Sequence, residues 1–219
     1  MHLIQLAVSL SSFKVRAALK LKGLDLPLED PPGGTYRSEA FRAVNPAGTI
    51  PTLVDGDFWL AESDAIIDYL DDVGAGRPLR PTEFRAAARA RMVSRWVDFR
   101  IDPQLRRLFP HVAPDARDEA EVRRVDEALA MGLELISRGL DAEGPFACGR
   151  QPSVADCGLL ACMIWLDAMK APLSLRAEAD GRLAGVIAAL EAVPALTSEA
   201  AAYRALAAEW VRARSHRAR

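Results

Sequence analysis

Over the first 75 residues short apolar runs alternate with turn residues, whereas beyond them apolar positions recur every three or four residues over long stretches. His2-Leu3-Ile4-Gln5-Leu6 predicts a short strand. Ser11 or Ser12 can cap a helix running to about Lys22, with Val15, Ala18 and Leu19 on one face and Gly23 as its stop. Leu26-Pro27-Leu28 is weakly extended, and Pro31-Pro32-Gly33-Gly34 reads as an exposed loop. A short helix follows from Glu39 to Val44, ended by Asn45-Pro46. Thr52-Leu53-Val54 and Phe58-Trp59-Leu60 flank Asp55-Gly56-Asp57, a tight hairpin signal. Glu62 then opens a helix whose Ile66, Ile67, Leu70 and Val73 face inward. The predicted order is β-α-β-α-β-β-α.

Gly74-Ala75-Gly76-Arg77-Pro78 and Pro81 interrupt this pattern, and from Thr82 onward the periodicity is helical throughout. Helices are expected roughly over 82–108, 115–140, 153–168, 181–193 and 197–213, broken at Pro110, Pro114, Gly144-Pro145, Pro172 and Pro194. The fold class is therefore α/β plus all-α. It comprises a small layered domain over 1–75, a linker over 76–81 and a helical bundle over 82–219.

Composition narrows the function classes. The chain has 219 residues, enough for a sizeable core without disulfide or metal staples. Lys+Arg 28 against Asp+Glu 30 leaves a formal charge of −2, so no bulk field draws the molecule to nucleic acid or an anionic membrane. No stretch is long and charge-free enough to predict a membrane span, and the start lacks the pattern of a secretory signal. Cys148, Cys157 and Cys162 form no C-x-x-C pair, which fits a reducing cytoplasm; Cys157 and Cys162 lie in an apolar helix and read as buried thiols. His2, His111 and His216 are far apart, so no metal site is expected. The basic run Arg212, Arg214, His216, Arg217, Arg219 complements a helix C-terminus.

The most informative stretch is Asn45-Pro46-Ala47-Gly48-Thr49-Ile50-Pro51-Thr52-Leu53. A proline directly before an apolar strand cannot donate a ladder hydrogen bond and belongs at a strand start or edge. It is either an ordinary trans edge proline or a cis bond that turns the Ile50 N–H and C=O toward an extended, peptide-like ligand. Eleven residues on, Glu62 and Ser63 fall at a helix start, where backbone N–H groups and the positive dipole end attract a carboxylate. Glu62 can bind a ligand ammonium and Ser63 a carboxylate, or both can simply cap the helix. Ser153-Val154-Ala155-Asp156 is a capping box, a folding signal more than a chemical one.

Asn45-Pro-x-Gly-x-Ile-Pro51, then Glu62-Ser63 and a helix, then Ser153-x-x-Asp156, resemble the cytosolic glutathione transferases over nearly the whole chain. The resemblance implies a thioredoxin-like domain holding glutathione as co-substrate, followed by a helical domain that shapes a pocket for a small electrophile. It implies that Ile50, before a cis Pro51, pairs with the cysteinyl unit, and that Glu62 and Ser63 hold the γ-glutamyl ammonium and carboxylate. Thr49 would assist near that end, and Arg37 would contact the glycyl carboxylate. Val8-Ser9-Leu10-Ser11-Ser12-Phe13-Lys14-Val15-Arg16 resembles the Ser-x-x-Ser-x-Lys/Arg-Val-Arg loop of serine-type members. Ser9 then takes the catalytic position, with Ser11 the next candidate and Ser12 nearer a helix cap. Arg95, Trp96, Phe99, Arg100, Leu105 and Phe109 fall on the first helices of the second domain, where the resemblance implies the electrophile site, and Trp96, Phe99 and Arg100 share one helix face. Family likeness further implies a homodimer in the cytoplasm. Two alternatives stay open: a zeta-like glutathione-dependent isomerase, and a non-catalytic interaction module on the same fold.

Overall fold

The computed structural model describes residues 1–215; His216, Arg217 and Arg219 of the basic tail lie outside the described residues. Four strands, β1 (His2–Ile4), β2 (Leu28–Glu29), β3 (Thr52–Asp55) and β4 (Phe58–Ala61), form one sheet in the order β2-β1-β3-β4. β1 runs parallel to β2 and antiparallel to β3, and β3 pairs antiparallel with β4, with Leu53 opposite Leu60. The β3–β4 turn needs a positive φ, which Gly56 supplies at 64°. Helices α1 (Leu10–Lys22), α2 (Glu39–Val44) and α3 (Ser63–Asp72) complete the expected order. This is the thioredoxin-like layer, and the remainder is helical.

Two local expectations are corrected. The cap of α1 is Ser9, whose Oγ accepts from the Ser12 N–H at 3.3 Å, and not Ser11 or Ser12. The helix starts two or three residues earlier because Ser9 is the last extended residue after β1. Val73 is 49% exposed and does not face the core, because α3 ends at Asp72 and the chain has turned away.

The helical part comprises α4 (Phe84–Trp96), α5 (Asp102–Leu108), α6 (Glu119–Gly139), α7 (Val154–Leu173), α8 (Gly181–Glu191) and α9 (Pro194–Ser215). A π turn over Val97–Ile101 joins α4 to α5, so the predicted 82–108 helix is one rod with a slipped phase. Pro172 sits inside the last turn of α7, and Pro194 opens α9 at a position where its missing N–H costs nothing. Every residue of α7 from Val154 to Leu166 is buried. The Asp156 carboxylate accepts from the Ser153 N–H (2.8 Å), the Ser153 Oγ–H (2.9 Å) and the Ala147 N–H (2.9 Å), so the box also anchors the loop before α7.

Helix α1 is shared between two apolar clusters. Val15 and Leu19 pack with Leu3, Leu53, Ile66 and Leu70 under the sheet, whereas Leu10, Phe13, Ala17 and Leu21 join the large core of the helical part. Charges reinforce the same seam. Lys14, 2% exposed, sets its Nζ 2.7 Å from Asp64 on α3 and 2.9 Å from Asp98 in the π turn, and the Ser94 hydroxyl donates to Asp64 at 3.0 Å. Burial alone would lower the pKa of Lys14, but the Asp98 and Asp64 carboxylates outweigh it and hold the ammonium above its ordinary range. Arg16 reaches Glu199 on α9 at 2.7 Å and the Ala7 carbonyl at 2.9 Å. Among the described residues no single helix is long and apolar enough to cross a membrane.

Candidate active site

The loop from Asn45 to Pro51 is held from within. Buried Asn45 donates from Nδ2 to the Thr49 carbonyl and to Thr52 Oγ1, both at 2.9 Å, while its Oδ1 accepts from the Ala47 N–H at 3.0 Å. Gly48 takes the left-handed conformation the loop requires, with φ 61°. The Ile50–Pro51 peptide is cis. Among the described residues, neither the N–H nor the C=O of Ile50 is hydrogen-bonded within the chain. An extended main chain laid beside Ile50 would find one donor and one acceptor waiting.

Glu62 lies between β4 and α3 and reverses the chain in a single residue, at φ 69° and ψ 116°. For a residue with a side chain such a conformation costs about 1–3 kcal/mol and persists mainly at ligand clamps. Its carbonyl accepts from the Ile66 N–H, but its side chain does not cap α3. The carboxylate is thus uncommitted, and the first N–H groups of α3 lack a side-chain acceptor. Asp64, within the first turn, points its carboxylate at Lys14 and Ser94 instead. The start of α3 therefore offers a carboxylate for an ammonium and N–H donors, with the Ser63 hydroxyl, for a carboxylate.

These groups open on a cleft of about 530 Å³ between the sheet layer and the helices. Ser9, Ser11, Thr49, Ile50 and Glu62 line one wall together with Tyr36. Ser9 uses its Oγ as acceptor for the Ser12 N–H, which leaves its own proton free to donate into the cleft. Ser11 accepts from Arg106 Nη2 at 3.3 Å. Ser12 is fully buried, accepts from the Leu6 N–H at 3.4 Å and does not line the cleft, so the candidate role of Ser12 is corrected to an internal support of the loop. Pro51 is buried behind Ile50, Ser63 is half-buried, and Arg37 is exposed outside the cleft with its guanidinium 5.5 Å from the Tyr36 ring centre.

The opposite wall includes Phe109 but not Trp96, Phe99 or Arg100. Trp96 packs against Gly139 of α6, Phe99 is 66% exposed, and Arg100 borders a separate cavity beside Met131. The face of α4 and α5 that meets the sheet layer carries Ser94, Asp98, Asp102 and Arg106, polar residues four apart that the π turn keeps in line. Of these four, Asp102 and Arg106 border the cleft, whereas Ser94 and Asp98 bond Asp64 and Lys14. The wall consists of Asp102, Arg106, Phe109, Trp165 and Trp210. The three rings pack at centroid distances of 4.8–5.3 Å, and Arg214 stacks on Trp210 at 3.6 Å. Arg106 holds Asp102 through its Nε at 2.9 Å. Trp165 and Trp210 were missed because they come from α7 and α9, far along the chain, and nothing local to either helix marks them as facing the cleft.

All three cysteines are free and buried, outside this cleft. Burial pushes the Cys148 thiol up to about 12 and that of Cys157 higher still, so neither is a nucleophile at neutral pH. Among the described residues no group of three or more His, Cys, Asp or Glu side chains is arranged to hold a metal ion.

Residues 3–78 match the family model of the glutathione S-transferase N-terminal domain, and residues 119–189 that of the glutathione S-transferase C-terminal domain. The chain is 34% identical over 148 residues to glutathione S-transferase Z2 of Arabidopsis thaliana, spanning 65% of this chain and 66%, just under two thirds, of that relative. It is 34% identical over 167 residues to a maleylacetoacetate isomerase of Pseudomonas aeruginosa, spanning 69% of this chain and 74% of the relative. A solved maleylacetoacetate isomerase of Methylobacterium extorquens, with bound malonate and GSH, superposes with a TM-score of 0.75 at 27% identity, covering 93% of this chain and 97% of that one.

Proposed function

Because the chain belongs to the glutathione S-transferase family, we propose that it binds glutathione in this cleft and activates its thiol as a thiolate for attack on an electrophilic small molecule. The observation that carries the reading is the unpaired main chain of Ile50 facing the same cleft as Glu62 and Ser9. The cysteinyl unit pairs with Ile50 ahead of Pro51. The γ-glutamyl end meets Glu62, Ser63 and the start of α3, with Thr49 alongside. Tyr36, which lines the cleft, is better placed than exposed Arg37 to meet the glycyl end. In this reading residues 1–75 hold glutathione, 76–81 link, and 82–219 shape the electrophile pocket.

Ser9 acts as a donor to sulfur and not as a base, since a hydroxyl cannot take a proton at neutral pH. A free thiol with pKa ~8.5 is about 3% ionised at pH 7, and lowering it by roughly two units requires about 2.7 kcal/mol in favour of the anion. A hydrogen bond to the charged sulfur contributes about 1.5–3 kcal/mol, and the positive end of α1 adds about 0.3–1 kcal/mol. Together they cover the requirement.

A second reading, an isomerase, is favoured by Arg106. Its exposed guanidinium borders the cleft across from Ile50, where it can hold a carboxylate of an unsaturated acid while the thiolate adds to the double bond and leaves again after rotation. Titration calorimetry with glutathione tests the common premise; absence of heat at millimolar ligand refutes it. Turnover of a chloronitrobenzene against that of a maleyl keto acid then separates the two reactions. In Arg106→Met the isomerase reading requires the keto acid to lose turnover and the neutral aromatic to keep it. We also propose a cytoplasmic homodimer; exposed Phe99 and Met131 support such a contact, and light scattering checks it.

A further inference from the structure

The last helix reaches back to the serine loop through one side chain. Tyr203 of α9 is 1% exposed, and its ring stacks on Phe13 of α1 with centroids 4.2 Å apart. Its hydroxyl accepts from Trp165 Nε1–H at 2.8 Å and donates to the Val8 carbonyl at 3.2 Å. That carbonyl belongs to the peptide bond whose nitrogen is Ser9, and the Ser9 N–H is itself bonded to the Leu6 carbonyl at 3.0 Å. The Val8–Ser9 peptide plane is therefore held at both ends, one of them by a residue nearly two hundred positions away.

We propose that Tyr203 is a positioning residue for thiol activation: by holding the Val8 carbonyl it fixes the peptide plane that aims the Ser9 hydroxyl at the glutathione sulfur. The inference rests on the assignment of Ser9 above. The loop from Gln5 to Ser9 lies between β1 and α1, outside both elements, so its geometry is set by these cross-links. Arg16 fixes the Ala7 carbonyl, and Tyr203 fixes the next one. The donor is well suited to the task. Burial raises the Tyr203 phenol well above its ordinary pKa, so it stays protonated through the working range, and the Trp165 N–H received by its oxygen strengthens the bond it gives.

The test is a double-mutant cycle of Tyr203→Phe and Ser9→Ala, read by kcat for conjugation and by the pH titration of bound thiolate absorbance. Tyr203→Phe should lower kcat about threefold to tenfold and raise the apparent thiol pKa by about half to one unit, the equivalent of one ordinary hydrogen bond, with KM for glutathione little changed. In the Ser9→Ala background the same substitution should change neither quantity. Fluorotyrosine at 203, a stronger donor of nearly the same volume, should leave the thiol pKa at or below the wild-type value, and it keeps the idea testable should Tyr203→Phe fail to fold. Equal losses with and without Ser9, or a lower melting temperature with an unshifted thiol pKa, would overturn the positioning role and leave the glutathione reading intact. No thiolate signal in the wild-type protein would overturn both.

Discussion

Lys14 offers the sharpest quantitative test of how the structure is held. Its ammonium is 2% exposed and lies against two carboxylates, Asp64 at 2.7 Å and Asp98 at 2.9 Å, a cluster with one net negative charge between the sheet layer and the helices. Lys14→Met fills nearly the same volume but strands Asp98 and leaves Asp64 only the Ser94 hydroxyl and Arg95 at 4.0 Å. Removing one partner of a buried pair costs about 3–5 kcal/mol, which for a chain of this length lowers the melting temperature by roughly 6–20 °C. Asp98→Asn should do far less harm. Burial, helped by the neighbouring Asp64 charge, holds the Asp98 carboxyl above its ordinary range in spite of Lys14, and the amide leaves a neutral Lys14–Asp64 pair. A carboxyl whose folded pKa is raised contributes stability below its unfolded value and loses it as pH rises through the folded one. The deficit of Lys14→Met should therefore be largest near pH 7 and shrink as pH falls toward the ordinary carboxylate range. Calorimetric melting across that range checks both statements. A loss under about 1 kcal/mol, or an Asp98→Asn variant as damaged as Lys14→Met, would refute the reasoning, since neither fits a desolvated ion cluster.

Three further outcomes are expected. Ser9→Ala should lower the conjugation rate about tenfold to a hundredfold and move the pH–rate profile to the alkaline side, with glutathione affinity nearly intact; an unshifted profile would transfer the role to Ser11. Glu62→Gly should raise thermal stability by about 1 kcal/mol, because glycine accepts the positive φ without strain, yet weaken glutathione binding in calorimetry; unchanged affinity would contradict its contact with the ligand ammonium. Finally, native protein at pH 8 should resist a thiol-specific chromogenic reagent and react only once unfolded, because Cys148, Cys157 and Cys162 are all buried with raised pKa values. A fast reaction in the folded state would mean that one of them is accessible.

Much of this was legible in the sequence where one local rule fixes one local structure. The Asp55-Gly56-Asp57 turn, the Glu39–Val44 helix and the capping box at Ser153 all follow from what short stretches of backbone permit, whereas the Ile50–Pro51 bond was open between trans and cis until the family resemblance implied cis. The start of α1 was misread because three serines in four positions can each cap a helix, and only the end of β1 decides among them. Of the far wall only Phe109 was legible, for a different reason. Which face of the α4–α5 rod meets the sheet layer depends on a π turn that no periodicity announces. Asp102 and Arg106 reach the cleft from that rod, and Trp165 and Trp210 from two others, so the wall exists only after tertiary assembly. Tyr203 was invisible for the same reason: its partners are Val8 and Trp165, and nothing in its own helix marks it.

The seam so plain in the composition near residue 75 is no seam in the energetics. Phe13 and Leu19 sit on one helix but are buried against different halves of the protein, so cutting the chain at the prolines would not release two self-sufficient pieces. The front fragment would carry a bare oily flank, and the rear fragment a slot with nothing in it. Ancestry could shuffle these halves only together with the helix that rivets them, and any engineered swap must carry residues 10–22 as part of both.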